Sequence, residues 1–144
     1  TELSALLADE LWSLVGASSN PQAAGFVLEM VKTIRGLGGI AVTSTQGMQD
    51  LFGLEGGKYG KGILDSSRIK LIMQMEEQEA RLIQNVLNLS EDEVRQITRF
   101  RRGEGLLCIG YNHVPIAFHA SQQEYDIITT SPTDLHRRAK EESV

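Results

Sequence analysis

Two adjacent carboxylates, Asp9 and Glu10, follow the first apolar run of the chain, residues 3–8. The run predicts a buried strand, which would deliver both acids to the carboxyl end of a sheet, where open α/β folds bind ligands. An aspartate there can hold Mg²⁺, usually through water, and the neighbouring glutamate can polarise a water that attacks a phosphoryl group. The pair therefore suggests nucleotide hydrolysis, although the same two residues could simply begin a solvated turn.

A polar residue, Gln46, ends the next predicted strand, the apolar and β-branched run 40–45. Neighbouring strands of a parallel sheet end in the same crevice, so Gln46 could sense a γ-phosphate or orient the attacking water. The alternative is that it caps a short helix predicted over 47–52. The order of acidic pair, helix, strand and glutamine is more specific than either part alone and favours the catalytic interpretation.

A segment rich in glycine and lysine, residues 53–62, contains five glycines and two lysines and predicts a flexible surface loop. A Walker A phosphate-binding loop needs a glycine five residues before a Gly-Lys-Ser/Thr triplet. Neither Gly57-Lys58 nor Gly60-Lys61 has that spacing, and neither is followed by serine or threonine. No Walker A sequence is therefore present in the chain.

Two arginines, Arg35 and Arg68, are candidates to contact the phosphates of a bound nucleotide in a neighbouring subunit. Each lies beside a predicted strand at a sheet edge, and a guanidinium can stabilise a transferring phosphoryl group from the adjoining protomer. The arginines within 95–102 are balanced by the acids at 91–93 and predict a solvated helix face.

The composition is that of one soluble globular domain. The 144 residues are 41% hydrophobic and 23% charged, and the net charge of −5 argues against a surface built wholly to neutralise phosphates. No apolar stretch approaches the roughly 18 to 20 residues that would span a bilayer, and the first residues do not form a signal peptide. His113, His119 and His136 lack the spacing of zinc ligands, and Cys108 lies in an apolar run that predicts a buried thiol.

Strands that alternate with helices predict an α/β fold with a mostly parallel sheet flanked by helices. Asn20-Pro21 begins one helix and Gly38-Gly39 ends it, while further helices are expected over 76–89 and 90–100. The apolar runs 106–109 and 114–118 flank a turn and predict a late antiparallel hairpin. We expect one unit over 1–135, followed by a polar tail at 136–144.

Together these segments resemble the C-terminal half of the VirB/TraC/TraE-type conjugative transfer ATPases, the type IV secretion motors of the RecA-like P-loop superfamily. The resemblance covers about residues 3–135. The matching segments are LLADELWSLV at 6–15, IRGLGG at 34–39, IAVTSTQ at 40–46, GILDSSRIK at 62–70, LSEDEV at 89–94, RGEGLL at 102–107 and IITT at 127–130.

The resemblance implies that Asp9 is the Walker B acid associated with Mg²⁺, that Glu10 is the catalytic base, and that Gln46 senses the γ-phosphate of ATP. It also implies a hexamer in the bacterial cytoplasm, peripherally associated with the inner membrane. The implied partners are other type IV secretion and conjugation components, and DNA is a further candidate. Because the Walker A half is expected upstream of Thr1, we expect this chain alone to bind ATP poorly and to hydrolyse none detectably.

Two other functions stay open from the sequence. One is a DNA-translocating or helicase-type RecA-like motor, which a basic, aromatic-bearing loop at 58–61 facing a hexamer pore would favour. The other is a non-catalytic α/β interaction module, in which Asp9 and Glu10 are only strand-end carboxylates. These functions predict different geometry, because the motor requires Asp9, Glu10 and Gln46 to converge in one crevice.

Overall fold

The first sheet of the molecule consists of two parallel strands, β1 (Ala5–Ala8) and β2 (Ile40–Thr43). The computed structural model describes residues 4–134. Ala5 lies opposite Ile40 and Ala8 opposite Thr43, so both strands end at the same edge. The predicted acidic pair and the predicted glutamine therefore leave neighbouring strands on the same side of the sheet.

The connection between these strands runs through helices α1 (Trp12–Val15) and α2 (Pro21–Thr33) and a 3₁₀ turn (Ile34–Leu37). The predicted start of α2 is confirmed, because the Asn20 side chain accepts a hydrogen bond of 2.8 Å from the Ala23 N–H. The predicted end of this helical segment at Gly38-Gly39 is confirmed as well. Gly38 adopts the left-handed conformation with φ 77°, which glycine tolerates without steric cost.

A second sheet is antiparallel and contains β3 (Ile69–Met73), β4 (Glu104–Ile109) and β5 (Asn112–Ala117) in that order. The α/β class and the late hairpin of β4 and β5 are confirmed. The strand at 69–73 pairs with this hairpin and does not join the parallel sheet. Among the described residues, the parallel sheet therefore consists of β1 and β2, and the antiparallel sheet is the larger of the two.

The glycine- and lysine-rich segment is not the predicted loop. After α3 (Met48–Leu51) and a 3₁₀ turn (Glu55–Gly57), residues 58–66 form helix α4 (Lys58–Ser66). Glycine permits close packing here, because a Cβ on Gly60 would lie 2.6 Å from the Leu51 carbonyl oxygen. Tyr59 is buried at 6% exposure, so the basic, aromatic-bearing loop expected at 58–61 does not form.

Three further helices follow along the chain: α5 (Glu77–Leu87), α6 (Glu91–Ile97) and α7 (Gln122–Ile128). Residues from α1 to β4 share a single hydrophobic core, whose most deeply buried large side chains are Leu51, Ile63, Ile83, Ile97, Leu106, Val15 and Val94. Cys108 is buried as predicted, and burial raises the pKa of its thiol. No helix among the described residues is long and apolar enough to cross a membrane. The predicted tail and His136 lie outside the described residues.

Candidate functional site

The two segments that carry Asp9, Glu10 and Gln46 meet at the carboxyl edge of the parallel sheet. The Gln46 side-chain amide donates a hydrogen bond of 2.5 Å from Nε2 to Oε1 of Glu10. The Ser44 hydroxyl, on the same segment as Gln46, donates to Oδ1 of Asp9. Residues 35 or 36 positions apart in the sequence thus contact one another directly.

Backbone hydrogen bonds continue past the ends of β1 and β2 and hold the two segments side by side. The Ser44 N–H donates to the Ala8 carbonyl at 2.9 Å, and the Leu11 N–H donates to the Ser44 carbonyl at 2.8 Å. The polar residues that follow the strands are therefore positioned by the same ladder that pairs the strands.

Asp9 is exposed and accepts two hydrogen bonds on the same oxygen. The Ser44 hydroxyl and, at 2.9 Å, the Glu10 backbone N–H both lower the pKa of this carboxyl below its usual range. Both donors stabilise the charged form, so the carboxylate is ionised at neutral pH. An exposed, ionised aspartate matches the way Mg²⁺ binds in nucleotide sites, with one or two carboxylates, several waters and substrate phosphates.

No group of three or more histidine, cysteine, aspartate or glutamate side chains that could hold a metal is found within residues 4–134. The single exposed carboxylate of Asp9 is the kind of donor that a hydrated Mg²⁺ would take in addition to its waters. His113 is paired instead with Glu93, whose Oε1 lies 2.6 Å from Nδ1 of the imidazole.

Glu10 is half-buried and has both carboxylate oxygens bound. Oε1 accepts from Gln46, and Oε2 accepts a hydrogen bond of 2.6 Å from the indole Nε1 of Trp12. The residue has a φ of 51°, in the left-handed region that non-glycine residues rarely adopt. No sequence pattern predicts a site role for Ser44 or Trp12, although Trp12 lies two positions after Glu10 and Ser44 two positions before Gln46.

Arg35 and Arg68 are both exposed, and neither side chain bonds to Asp9 or Glu10 in the described part of the chain. Arg35 lies in the 3₁₀ turn that precedes β2, so a four-residue strand of about 13 Å separates it from the edge that carries Gln46. Arg68 precedes β3 in the other sheet. A role for either arginine toward a neighbouring subunit stays a prediction.

The chain is similar to the solved structure of VirB4 of Thermoanaerobacter pseudethanolicus, with a TM-score of 0.78 and 32% sequence identity over 86% of this chain. The resemblance to the VirB4-type type IV secretion ATPases is confirmed. The match covers 33% of that VirB4 chain, so this chain spans about a third of its length.

A second solved structure, of lower sequence identity, is also similar to this chain. The genome packaging NTPase B204 of Sulfolobus turreted icosahedral virus 2, solved in complex with ATP-gammaS, matches with a TM-score of 0.57 and 15% identity. That match covers 81% of this chain and 52% of the viral protein, and it indicates a shared fold. Neither a family model nor a curated protein sequence matches the chain.

Proposed function

We propose that this chain forms the Walker B and sensor part of a VirB4-type ATPase, and that the intact protein hydrolyses ATP to energise type IV secretion, including conjugative DNA transfer. The observation that carries the proposal is the contact of Gln46 with Glu10 at the carboxyl edge of two adjacent parallel strands. Polar groups that converge at this edge are what nucleotide hydrolysis by an α/β motor requires.

Glu10 is the proposed catalytic base, and its carboxylate takes a proton from the water that attacks the γ-phosphorus of ATP. Gln46 places an amide donor at Oε1 of this base, where the same amide can turn to a γ-phosphate oxygen. Asp9 would hold Mg²⁺ through water, and the ion when bound neutralises phosphate charge. The ionised state of Asp9, stabilised by Ser44, supports this role.

The remaining parts of the catalytic site lie outside this chain in the proposal. A phosphate-binding loop supplied by another part of the intact protein holds the β- and γ-phosphates, and residues 1–135 act as one unit with it. In a hexamer associated with the inner membrane, Arg35 or Arg68 of one protomer would approach the nucleotide of the next, which their exposure permits.

The two alternative functions have less support. A DNA translocase was expected to present a basic, aromatic-bearing loop at 58–61, but these residues belong to α4 and Tyr59 is buried. An interaction module would give no reason for the Gln46 side chain to bond to Glu10, or for Glu10 to adopt a left-handed conformation.

The test is Mg²⁺-dependent ATP turnover of the intact natural protein beside its Glu10→Gln variant. We expect turnover to fall by about 100-fold or more while nucleotide affinity is retained, because a general base is lost and the binding contacts remain. Glu29→Gln, on the exposed surface of α2, is the matched control and should turn over normally. Unchanged turnover in Glu10→Gln, or no turnover in the unmodified protein, would leave the interaction module as the better account.

A further inference from the structure

The indole of Trp12 donates a hydrogen bond to Glu10, and the proposed function assigns no role to this donor. Its Nε1 donates to Oε2 of Glu10 at 2.6 Å, and the contact is partly buried. Gln46 donates to the other oxygen, so the carboxylate is held from two sides. Trp12 is the single tryptophan in the sequence.

The two donors differ in how firmly they are anchored. Trp12 is the first residue of α1, is half-buried and packs against the hydrophobic core, while α1 itself packs on α2, α3 and α4. Gln46 is exposed and lies in the short segment between β2 and α3. The Trp12 contact therefore ties one oxygen of Glu10 to the rigid interior, whereas the Gln46 contact can exchange for a ligand.

The backbone at Glu10 is fixed in an unusual conformation that supports the same geometry. Its φ of 51° is strained for a residue with a side chain. The Glu10 carbonyl accepts from the Ser13 N–H at 2.9 Å and from the Ser13 hydroxyl at 2.8 Å, and the following N–H, that of Leu11, is bound to Ser44. Strain that is held in place by surrounding bonds is typical of residues whose position matters for chemistry.

We propose that Trp12 is a positioning residue that orients the Glu10 carboxylate, holding Oε2 so that Oε1 faces the attacking water beside Gln46. This inference rests on the proposed function, since it assumes that Glu10 is the base. Without the indole N–H, the carboxylate can rotate away from the productive orientation, and misplacement of a catalytic group by about 1 Å can cost on the order of 100-fold in rate. Trp12 touches the base and would make no contact with phosphate, so nucleotide affinity should not depend on it.

A purely structural role is the competing explanation, because Trp12 also packs against the core. Trp12→Phe removes the donor and keeps an aromatic ring at the same place. Phe52→Leu is the matched packing control, because Phe52 is half-buried against the same core and its side chain donates no hydrogen bond. A packing role predicts that both variants lose thermal stability and activity in parallel.

The experiment measures kcat, KM and nucleotide affinity of the intact protein and of its Trp12→Phe, Phe52→Leu and Glu10→Gln variants. We expect Trp12→Phe to lower kcat by about 10- to 100-fold with nucleotide affinity within about twofold, and Phe52→Leu to leave kcat near normal. A normal kcat in Trp12→Phe beside an inactive Glu10→Gln would overturn the positioning role alone. A normal rate in Glu10→Gln would instead remove the proposed function on which it rests.

A spectroscopic measurement keeps the inference testable if Trp12→Phe does not fold. Removal of the carboxylate by Glu10→Ala should change the fluorescence emission of Trp12, because the indole N–H loses its charged partner. The difference spectrum against the unmodified protein cancels the emission of tryptophans that the substitution leaves unaffected, and Glu29→Ala serves as the control. Identical spectra for Glu10→Ala and Glu29→Ala would show that the contact does not exist in solution and would overturn the proposal.

Discussion

At the scale of single residues, the pKa of Asp9 depends on Ser44. The hydroxyl of Ser44 is the strongest influence on the Asp9 carboxyl, and the Glu10 N–H adds to it, so both donors lower its pKa. Ser44 itself is fixed by backbone hydrogen bonds to both Ala8 and Leu11. One serine therefore links the pairing of the two segments to the ionisation of the proposed Mg²⁺-associated acid.

Substitution Ser44→Ala should raise the pKa of Asp9 toward its ordinary value, because the carboxylate loses its main hydrogen-bond donor. The measurement is an NMR titration of the Asp9 side-chain carboxyl carbon against pH. Ser66→Ala is a suitable control, since that hydroxyl donates to the Gly62 carbonyl within α4 at 2.7 Å. An Asp9 titration that is the same in Ser44→Ala and in the unmodified chain would contradict this account.

The candidate residues at this edge could be predicted from the sequence, and their partners could not. Asp9, Glu10 and Gln46 follow apolar runs, and parallel strands bring their carboxyl ends together whatever the detailed geometry. The contact of Trp12 depends on the left-handed φ of Glu10, which no local pattern requires of a glutamate. The contact of Ser44 depends on the exact register of β1 and β2, which is set by the pairing of distant segments.

At the scale of secondary structure elements, one carboxylate ties α6 to the antiparallel sheet. Glu93 closes the capping box of α6 by accepting the Ser90 N–H at 2.7 Å, and its other oxygen lies 2.6 Å from the imidazole of His113 on β5. Burial raises the pKa of Glu93, but the bonds from Ser90 and His113 outweigh it, so the net pKa is lowered. The ionised carboxylate thus stabilises both the start of α6 and its contact with β5.

Glu93→Ala should lower the unfolding free energy near pH 7 by about 1–2 kcal/mol, the usual cost of losing a helix cap and a charged hydrogen bond. The folded-state pKa lies below the ordinary value of 4.5, so this stabilisation is complete above that pH. The stabilisation is lost as the pH falls through the lowered folded-state pKa of Glu93. At that pH the unfolding free energies of the variant and the unmodified protein should converge. Chemical denaturation at a series of pH values measures the difference.

Glu124→Ala is the matched control for this prediction. Glu124 closes a similar capping box with Ser121, but α7 has no buried residues, so its loss should leave global unfolding unchanged at every pH. The difference in unfolding free energy between Glu93→Ala and the unmodified protein should shrink at acidic pH. A difference that stays the same would show that the charge of Glu93 is not what stabilises the contact.

Helices that begin with a capping residue were predictable at this scale. The caps at Asn20 and Ser90 lie where the sequence places them, because cap preferences act within a few residues. Helix α4 was not predictable, since its glycines normally mark loops. They are used here for close approach, with Gly60 against Leu51 and Gly62 against Leu28, which is a tertiary contact between α4 and two other helices.

At the scale of the whole molecule, the antiparallel sheet presents an open apolar face. The strand register places Ile69, Leu71, Met73, Ile109 and Val114 on this face, and each is between 42% and 65% exposed. The opposite face, with Ile72 and Leu106, is buried in the core. Contiguous apolar surface of this kind is typical of interaction surfaces, and the chain spans about a third of the VirB4 structure that it matches.

The chain studied by itself should self-associate through this face, and the association should weaken in the variant Val114→Lys. A lysine at this position on the edge strand β5 places a charge where apolar side chains would meet. Sedimentation velocity over a range of concentrations measures the effect. Leu82→Lys, on the surface of α5 at 39% exposure, is the control and should associate like the unmodified chain. Equal association of the two lysine variants would exclude this face as the contact.

The α/β class was predictable at this scale because strands and helices alternate in the sequence. The hairpin was predictable because two apolar runs flank a turn. The division into two sheets was not. Strand β3 could have extended the parallel sheet, and its pairing with β4 joins segments more than thirty positions apart. Such pairings depend on how the whole chain packs and carry no local sequence signal.

The measurement that tests the central claim most directly is the identity of the nucleotide retained by the intact protein after incubation with Mg²⁺ and ATP. If Glu10 is the base, the Glu10→Gln variant should retain unhydrolysed ATP, while the unmodified protein and the Glu29→Gln control should hold ADP. ADP in all three proteins would contradict the assignment of Glu10 and, with it, the proposed site at the carboxyl edge of β1 and β2.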